Sequence, residues 1–210
     1  MRMELDVVYA TFARAALPEA EALLAGADLD GAEVALGGVR RDRAELWILR
    51  PATAAGALPE RAAWARRLGL AGDDAATGAY RATPLSDRGA AGGDGPVMVI
   101  AFAPPDAAQR AELDDYYERE HAPLLLATPG WRRIRRWALD PLAGPPCTRL
   151  AVHDLVDRDA VRDPAVVASM GTPWYERLME RPWYATAGRP PIARVRTPVI
   201  TCVDSSRPKA

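Results

Sequence analysis

The sequence predicts an α+β fold made of two βαββαβ repeats whose sheets pack face to face. Short β-branched and aromatic runs alternate with longer runs of helical spacing, and the same order occurs twice in 210 residues. One glycine-rich stretch, SDRGAAGGDGP at residues 86–96, is the predicted linker between the two occurrences. An antiparallel sheet with helices on one face leaves its other face apolar, so the second repeat is the natural cover.

The first repeat, residues 1–85, contains four predicted strands and two predicted helices. The strands are LDVVYATF from residue 5, AEVALGGVR from 32, ELWILR from 45 and GAYRATPL from 78. A proline begins each helix, at Pro18 and at Pro59, where the first helical turn tolerates it.

The second repeat, residues 97–204, has the same order. Its predicted strands are VMVIAFAP from residue 97, WRRIRRWAL from 131, TRLAVHDLVD from 148 and IARVRTPVITCV from 192. A long helix is predicted over residues 106–126 and helical pieces over 159–170 and 174–181, and residues 205–210 are a predicted disordered tail. Each repeat therefore has the ferredoxin-like order of elements.

Composition argues against several classes of partner. A net charge of −1 gives no general attraction to nucleic acid or anionic lipid. No apolar run reaches the roughly 18 residues of a transmembrane helix, and MRMELDVVYA lacks a signal-peptide core, so we expect no membrane partner and a cytoplasmic location. Two distant cysteines and two histidines without a third neighbouring ligand predict no metal site. A homodimer paired through edge strands is compatible with this pattern.

The helix over residues 106–126 carries the first candidate site. On a helix, one narrow stripe contains Leu113, Tyr117, His121 and Leu124. Because leucines mark the side that faces the sheet, we expect Tyr117 and His121 to point inward, at a pocket between the two sheets.

His121 is the candidate proton carrier. Pro123 follows it closely, so His121 lies near a kink or a helix end, where the helix dipole favours the imidazolium. Glu118 and Glu120 would add to that effect, and the ring could then exchange a proton near neutral pH. In the alternative, His121 binds a backbone carbonyl and fixes the following turn.

The strand WRRIRRW predicts a second set of candidates. Alternation places Trp131, Arg133, Arg135 and Trp137 on one face, and Arg132, Ile134 and Arg136 on the other. At least one arginine should be buried and paired, with Asp114, Asp115 and Glu118 as candidate partners. A functional arginine, 133 or 135, would hold an oxyanion of a substrate; an ordinary salt-bridged strand is the alternative.

Other candidates lie further along the chain. His153 should share a strand face with Ala151 and Leu155, which favours a core histidine over a ligand. Trp174 and Tyr175 lie in an aromatic, proline-rich segment that could line a pocket for a planar ligand, and ordinary packing is equally compatible with them.

An ordered set of motifs resembles a known family. The run DYYEREHAP at residues 115–123, then PGW at 129–131 and RRW at 135–137, is similar to the EthD-like branch of the dimeric α/β-barrel superfamily, over residues 96–198. The resemblance implies two ferredoxin-like repeats fused as a dimeric α/β barrel with a pocket between the sheets. Relatives include cofactor-independent enzymes of aromatic polyketide metabolism.

These observations predict a cofactor-independent enzyme that acts by general acid–base catalysis on an aromatic or polyketide-like small molecule, as a cyclase, dehydratase or decarboxylase. The predicted catalytic residues are His121, Tyr117 and Arg135. The predicted substrate contacts are Trp131, Arg133, Trp137, His153, Trp174 and Tyr175. Two alternatives are a non-catalytic binding protein of the same fold and a metal-free monooxygenase.

Overall fold

The computed structural model describes residues 4–13, 20, 24, 32–38, 43–52, 77–90, 93–185 and 193–196, and eight strands lie among them. They are β1 (Leu5–Ala13), β2 (Glu33–Gly38), β3 (Arg43–Pro51), β4 (Thr77–Gly89), β5 (Val97–Phe102), β6 (Trp131–Ala143), β7 (Arg149–Leu155) and β8 (Ala193–Arg196). Of the helix predicted from Pro18, the structure describes only Ala20 and Leu24, both helical and buried. The helix predicted from Pro59 and the predicted tail at 205–210 lie outside the described residues.

In the second half, one helical run extends without a break from Ala107 to Leu126, as predicted, and shorter helices follow β7. The helical elements are α1 (Ala107–Tyr116), a π-helical turn (Tyr117–His121), α2 (Ala122–Leu126), a 3₁₀ turn (Arg158–Arg162), α3 (Pro164–Ser169), α4 (Pro173–Met179) and α5 (Pro182–Ala185). Asp106, Asp163 and Thr172 cap α1, α3 and α4 with side-chain oxygens, and proline occupies the first turn of α3 and of α4. Among the described residues, no helix is both long and apolar enough to cross a membrane.

The eight strands form one antiparallel sheet in the order β5-β7-β6-β4-β1-β3-β2-β8. Within it, β4-β1-β3-β2 is the ferredoxin-like strand order of the first half. The halves join at two places, because β4 also pairs with β6 and β8 pairs with β2. The result is a nearly closed sheet, and the predicted α+β fold of two ferredoxin-like repeats fused as a dimeric α/β barrel is confirmed.

The predicted linker at residues 86–96 is partly strand. β4 continues to Gly89 and pairs with β6 as far as Gly89↔Arg133, so hydrogen bonding to the neighbouring strand extends it beyond its apolar part. A register shift between Pro84 and Ser86 accommodates the extension. Gly89 then leaves the sheet with a φ of 94°, a conformation that favours glycine.

Buried side chains form an interior core and two outer layers. The barrel interior is filled from both halves, by residues that include Val7, Trp47, Leu49, Tyr80, Val99, Trp137, Leu150 and Val152. One outer layer covers the first half and includes Ala20 and Leu24. The other, which we call the second-half outer layer, lies between β5, β6, β7 and the helices, and includes Phe102, Leu113, Tyr116, Tyr117, Trp131, Leu155 and Tyr184.

The Pro-Gly-Trp turn holds this layer together. A Cβ on Gly130 would lie 2.6 Å from the Cβ of Ala160, in the 3₁₀ turn, so only glycine fits without a shift. The carbonyl of Gly130 also accepts a hydrogen bond from the N–H of Val156. The turn thereby fixes the start of β6 against the segment that follows β7.

Candidate functional site

A π-helical turn shapes the candidate site. The N–H of Ala122 donates to the carbonyl of Tyr117, five residues earlier. Pro123 has no N–H, and its ring crowds the carbonyl four residues before it, so a widened turn suits this position. The turn directs Tyr116, Tyr117 and His121 together into the second-half outer layer.

The π turn changes which residues lie on the buried side of the helix, so one residue of the predicted stripe is wrong. Leu113, Tyr117 and His121 are buried as predicted, but Leu124 is 39% exposed and Leu125 is buried in its place. A π turn takes about one residue more than an α turn, so the buried side of the helix moves by one position after His121.

His121 lies in the second-half outer layer, not between the two halves of the barrel sheet where the sequence predicted it. Its ring centroid is 5.1 Å from that of Tyr116 and 4.8 Å from that of Tyr117. Its Nδ1 lies 3.0 Å from the hydroxyl oxygen of Tyr116. Its Nε2 has no hydrogen-bond partner among the residues that the structure describes, and the residue stays 8% exposed.

The predicted stabilisation of an imidazolium at His121 is wrong. Burial, assisted by the positive charge of Arg136, lowers the pKa of His121 to about 3. The expected carboxylates are engaged elsewhere, because Glu118 pairs with arginines and Glu120 accepts a hydrogen bond from the hydroxyl of Thr172. At neutral pH the ring is therefore uncharged.

His153 is the second buried imidazole of the layer. It faces the helices together with Ala151 and Leu155, as predicted. The indole N–H of Trp131 donates to its Nδ1 at 3.0 Å, and its Nε2 lies 3.5 Å from the hydroxyl of Tyr117. Because an indole can only donate, Nδ1 must be the acceptor and Nε2 carries the proton. Trp131 and His153 thus bind each other. This contact supports the interpretation of His153 as a core residue and not as a ligand.

Both histidines should make the protein less stable in acid. Burial also lowers the pKa of His153 well below its ordinary value. The unfolded chain binds a proton near pH 6.5 and folded His121 only near pH 3, so stability falls as the pH drops between these values. We expect the free energy of unfolding to fall by about 2 kcal/mol from pH 7 to pH 5 through His121 alone. Denaturant titration should show this fall, and His121→Gln should remove that part of it; an imidazole of His121 that titrates near pH 6.5 by NMR would contradict the expectation.

A bulge divides the predicted face of β6. Trp131 pairs with Leu155 and Arg133 with Asp154, which leaves Arg132 as an extra residue. Trp131 therefore points towards the helices. The sequence had predicted that it would share a face with Arg133, Arg135 and Trp137. The barrel-interior face carries the remaining three: Arg133, Arg135 and Trp137.

Arg133 and Arg135 lie on the barrel-interior face of β6, on the other side of the sheet from His121. The prediction that one of them holds a substrate oxyanion beside His121 is therefore wrong. Arg135 donates two hydrogen bonds to Glu33, at 2.5 and 2.9 Å, and one to Asp154 at 2.9 Å. These carboxylates raise the pKa of Arg135 against the opposing effect of burial. Arg133 forms a two-bond pair with Asp87. One oxyanion cannot contact Arg135 and His121 together, because the sheet separates them.

Arg136 lies on the face of β6 that packs against Tyr117, on the same side of the sheet as His121, and it was not among the predicted site residues. Its side chain is only 2% exposed, and its guanidinium lies 4.3 Å from the ring centroid of Tyr117. It donates to Asp114 at 2.5 Å, as predicted for a buried arginine of this strand. Its Nε has no hydrogen-bond partner among the described residues. The burial of Ile134, two residues earlier on the same face, was the signal that could have identified it.

Aromatic side chains from α4 and α5 cover the histidines. Trp174 packs against Tyr116 with ring centroids 5.7 Å apart, and Tyr175 packs against Tyr184 at 5.9 Å. The ring of Tyr184 also meets that of Tyr116 edge to face, with centroids 6.4 Å apart. The indole N–H of Trp174 is buried without an acceptor among the described residues. Trp174 and Tyr175 therefore lie beside His121, where the sequence expected an aromatic wall.

The site's side chains offer no cluster of metal ligands. Within the described ranges, no group of three or more histidine, cysteine, aspartate or glutamate side chains could hold a metal ion. Polar groups that have no partner among the described residues include the Nε2 of His121, the indole N–H of Trp174 and the Nε of Arg136. The arrangement can hydrogen-bond an aromatic molecule and accept a proton from it at His121.

Comparisons with known proteins show the fold. No protein-family model and no curated protein match the sequence. Among solved structures, an anthrone oxidase-like protein superposes with a TM-score of 0.55 at 15% identity, over 92% of each chain. A monooxygenase-like protein from Listeria innocua has a TM-score of 0.49 at 12% identity, over 92% of this chain and 94% of that one. A ferredoxin-fold protein from Listeria monocytogenes related to antibiotic biosynthesis monooxygenases has a TM-score of 0.48 at 14% identity, over 86% and 84%. The superposition on the anthrone oxidase-like protein shows that the chain shares the fold of that protein.

Proposed function

We propose that the protein is a cofactor-independent enzyme that binds a planar aromatic or polyketide-like molecule beside His121 and moves a proton on it. One observation carries the proposal: a neutral, buried imidazole in a layer of aromatic rings has a nitrogen that no described residue binds. Such a ring can accept a proton from a phenol or from a carbon next to a carbonyl. Cyclisation and dehydration of such substrates pass through the resulting enolate. Decarboxylation forms an equivalent enolate by loss of carbon dioxide, and a proton is then returned to its carbon.

The surrounding charges suit an enolate. Arg136 brings a buried positive charge beside Tyr117, and its partners Asp114 and Glu118 are shared with Arg149 and Arg88. Three guanidinium groups and two carboxylates of this described network leave one positive charge in excess. A substrate that becomes negative beside His121 also raises the pKa of the imidazole, so proton transfer and charge formation favour each other.

A second candidate is metal-free oxygenation, which shares the first step. An enolate formed beside His121 can pass an electron to dioxygen, and the anthrone oxidase-like protein has the same fold. Consumption of dissolved oxygen with the substrate separates oxygenation from the lyase or cyclase reaction. A non-catalytic binding protein would bind the aromatic molecule and leave it unchanged.

The test uses the full chain with two probes, benzoylacetate and 1,8-dihydroxyanthrone. Chromatography follows the loss of each probe above its spontaneous rate, an oxygen electrode follows oxygen uptake, and calorimetry measures binding. Decarboxylation without oxygen uptake supports the first candidate, and oxidation of the anthrone with uptake supports the second. Binding without turnover assigns the protein to the non-catalytic class, and absence of both binding and turnover contradicts an aromatic site.

A further inference from the structure

Two successive hydrogen bonds determine what the hydroxyl of Tyr117 can do. The indole N–H of Trp131 occupies the Nδ1 of His153 at 3.0 Å, so the single proton of this neutral ring is on Nε2. That Nε2 lies 3.5 Å from the hydroxyl oxygen of Tyr117, and a protonated ring nitrogen can only donate. Tyr117 is therefore the acceptor in this contact, and its own hydroxyl hydrogen is left for another partner.

No acceptor for that hydrogen lies among the residues that the structure describes. Within the described part of the chain, the contact with His153 is the only hydrogen bond of the Tyr117 hydroxyl. The side chain is fully buried, and buried donors in folded proteins almost always have a partner. An oxygen atom of a bound molecule would complete this donor.

Arg136 makes the Tyr117 hydroxyl a stronger donor. Its guanidinium lies 4.3 Å from the centroid of the phenol ring, and a cation over a ring draws electron density away from the oxygen. Burial raises the pKa of Tyr117 and Arg136 opposes that rise, so the hydroxyl keeps its proton at neutral pH. Tyr117 can therefore donate a hydrogen bond, but it cannot serve as the base.

This donor lies beside the proposed base. The rings of Tyr117 and His121 meet edge to face with centroids 4.8 Å apart. When a ketone loses a proton from the carbon next to its carbonyl, negative charge develops on the carbonyl oxygen. A fixed donor at that oxygen lowers the barrier, because it binds the enolate more strongly than the ketone.

We infer, on the basis of the function proposed above, that Tyr117 donates a hydrogen bond to a carbonyl oxygen of the substrate and that Trp131 and His153 orient it. The substrate class is then an aromatic or polyketide-like ketone. The proton passes from the carbon next to the carbonyl to the Nε2 of His121, the electron pair of the broken bond moves to the oxygen, and Tyr117 keeps its own proton. Trp131 and His153 are positioning residues, since they act through Tyr117.

The first test is NMR of the full chain with ¹⁵N-labelled histidine, and it needs no substrate. We expect the ring of His153 to carry its proton on Nε2, and Trp131→Phe to allow the other tautomer as well. Trp47→Phe is the matched control, because it also removes a buried indole N–H, one that donates to Glu45, and His153 should not change. A proton on the Nδ1 of His153 in the unmodified protein would reverse the direction of both hydrogen bonds and overturn the inference.

The second test measures the binding of two aromatic probes of the same shape. 2-Acetylnaphthalene carries a carbonyl, and 2-isopropylnaphthalene does not. Tyr117→Phe should weaken binding of the ketone about tenfold, the effect of one lost hydrogen bond, and leave binding of the hydrocarbon unchanged. The infrared band of the bound carbonyl should lie below its position in an apolar solvent and return towards that position in Tyr117→Phe. Tyr80→Phe is the control, because it removes a buried tyrosine hydroxyl that donates to the carbonyl of Pro145.

The two ways of failing are distinct. If the unmodified protein and Tyr117→Phe bind the ketone equally well and with the same carbonyl frequency, Tyr117 does not hold the oxygen, while the aromatic site stands. If the unmodified protein binds neither probe, the proposed function itself is contradicted and the role of Tyr117 in it falls too.

Discussion

Arg135→Met should lower the free energy of unfolding by about 3–5 kcal/mol, the usual result of removing one partner from a buried ion pair. Arg135 lies in the barrel interior on β6 and binds Glu33 on β2 and Asp154 on β7. Methionine replaces its aliphatic part, including its packing on Trp137, but leaves both carboxylates buried without the arginine they share. The pair also connects the two halves, so the loss should appear in one cooperative transition on denaturant titration.

Arg133→Met is the matched control on the same strand. Arg133 also forms a two-bond pair, but its partner Asp87 is exposed, so we expect a loss of about 1 kcal/mol or less. Adding Glu33→Gln and Asp154→Asn to Arg135→Met should restore part of the stability, because no carboxylate then stays buried at that place. Equal losses for the two arginine variants would contradict the assignment of Arg135 to the interior.

The strands and the faces of β7 could be predicted because they follow from simple periodicity. Alternation of two residues placed His153 with Leu155, and the structure agrees. The uncovered face of an antiparallel sheet predicted the stacking of the halves, and residues from both halves fill the interior, among them Trp47 and Trp137. These features depend on apolar patterns that one strand displays by itself.

The composition of the site could not be predicted, because small local irregularities decide it. A π turn before Pro123 moves the buried side of the helix by one residue. One bulged residue, Arg132, moves Trp131 to the helix side of β6, and Arg136 takes the place that had been assigned to Arg135. Each irregularity is a shift of one residue, and hydrophobic periodicity does not reveal where such a shift occurs.

The charge of His121 could not be predicted for a different reason. Glu118 and Glu120 lie within one helical turn of His121, so the sequence predicted that their charges would favour the imidazolium. In the folded chain, Thr172 and the arginines bind those carboxylates, and burial then determines the pKa of the ring. The partners come from segments far away in the sequence, so only the tertiary structure identifies them.

His121→Gln should lower kcat by about 10² to 10⁴ on the probe that the enzyme converts, the range that general acid–base catalysis provides. Glutamine can still hydrogen-bond to Tyr116, but it cannot take a proton, so KM should change much less than kcat. Arg119→Gln is the control, because Arg119 lies in the same π turn with its side chain 71% exposed, and kcat and KM should both stay unchanged. Full turnover in His121→Gln would show that the imidazole does not carry the proton. A loss of the same size in Arg119→Gln would show that the helix, and not the ring, determines the rate.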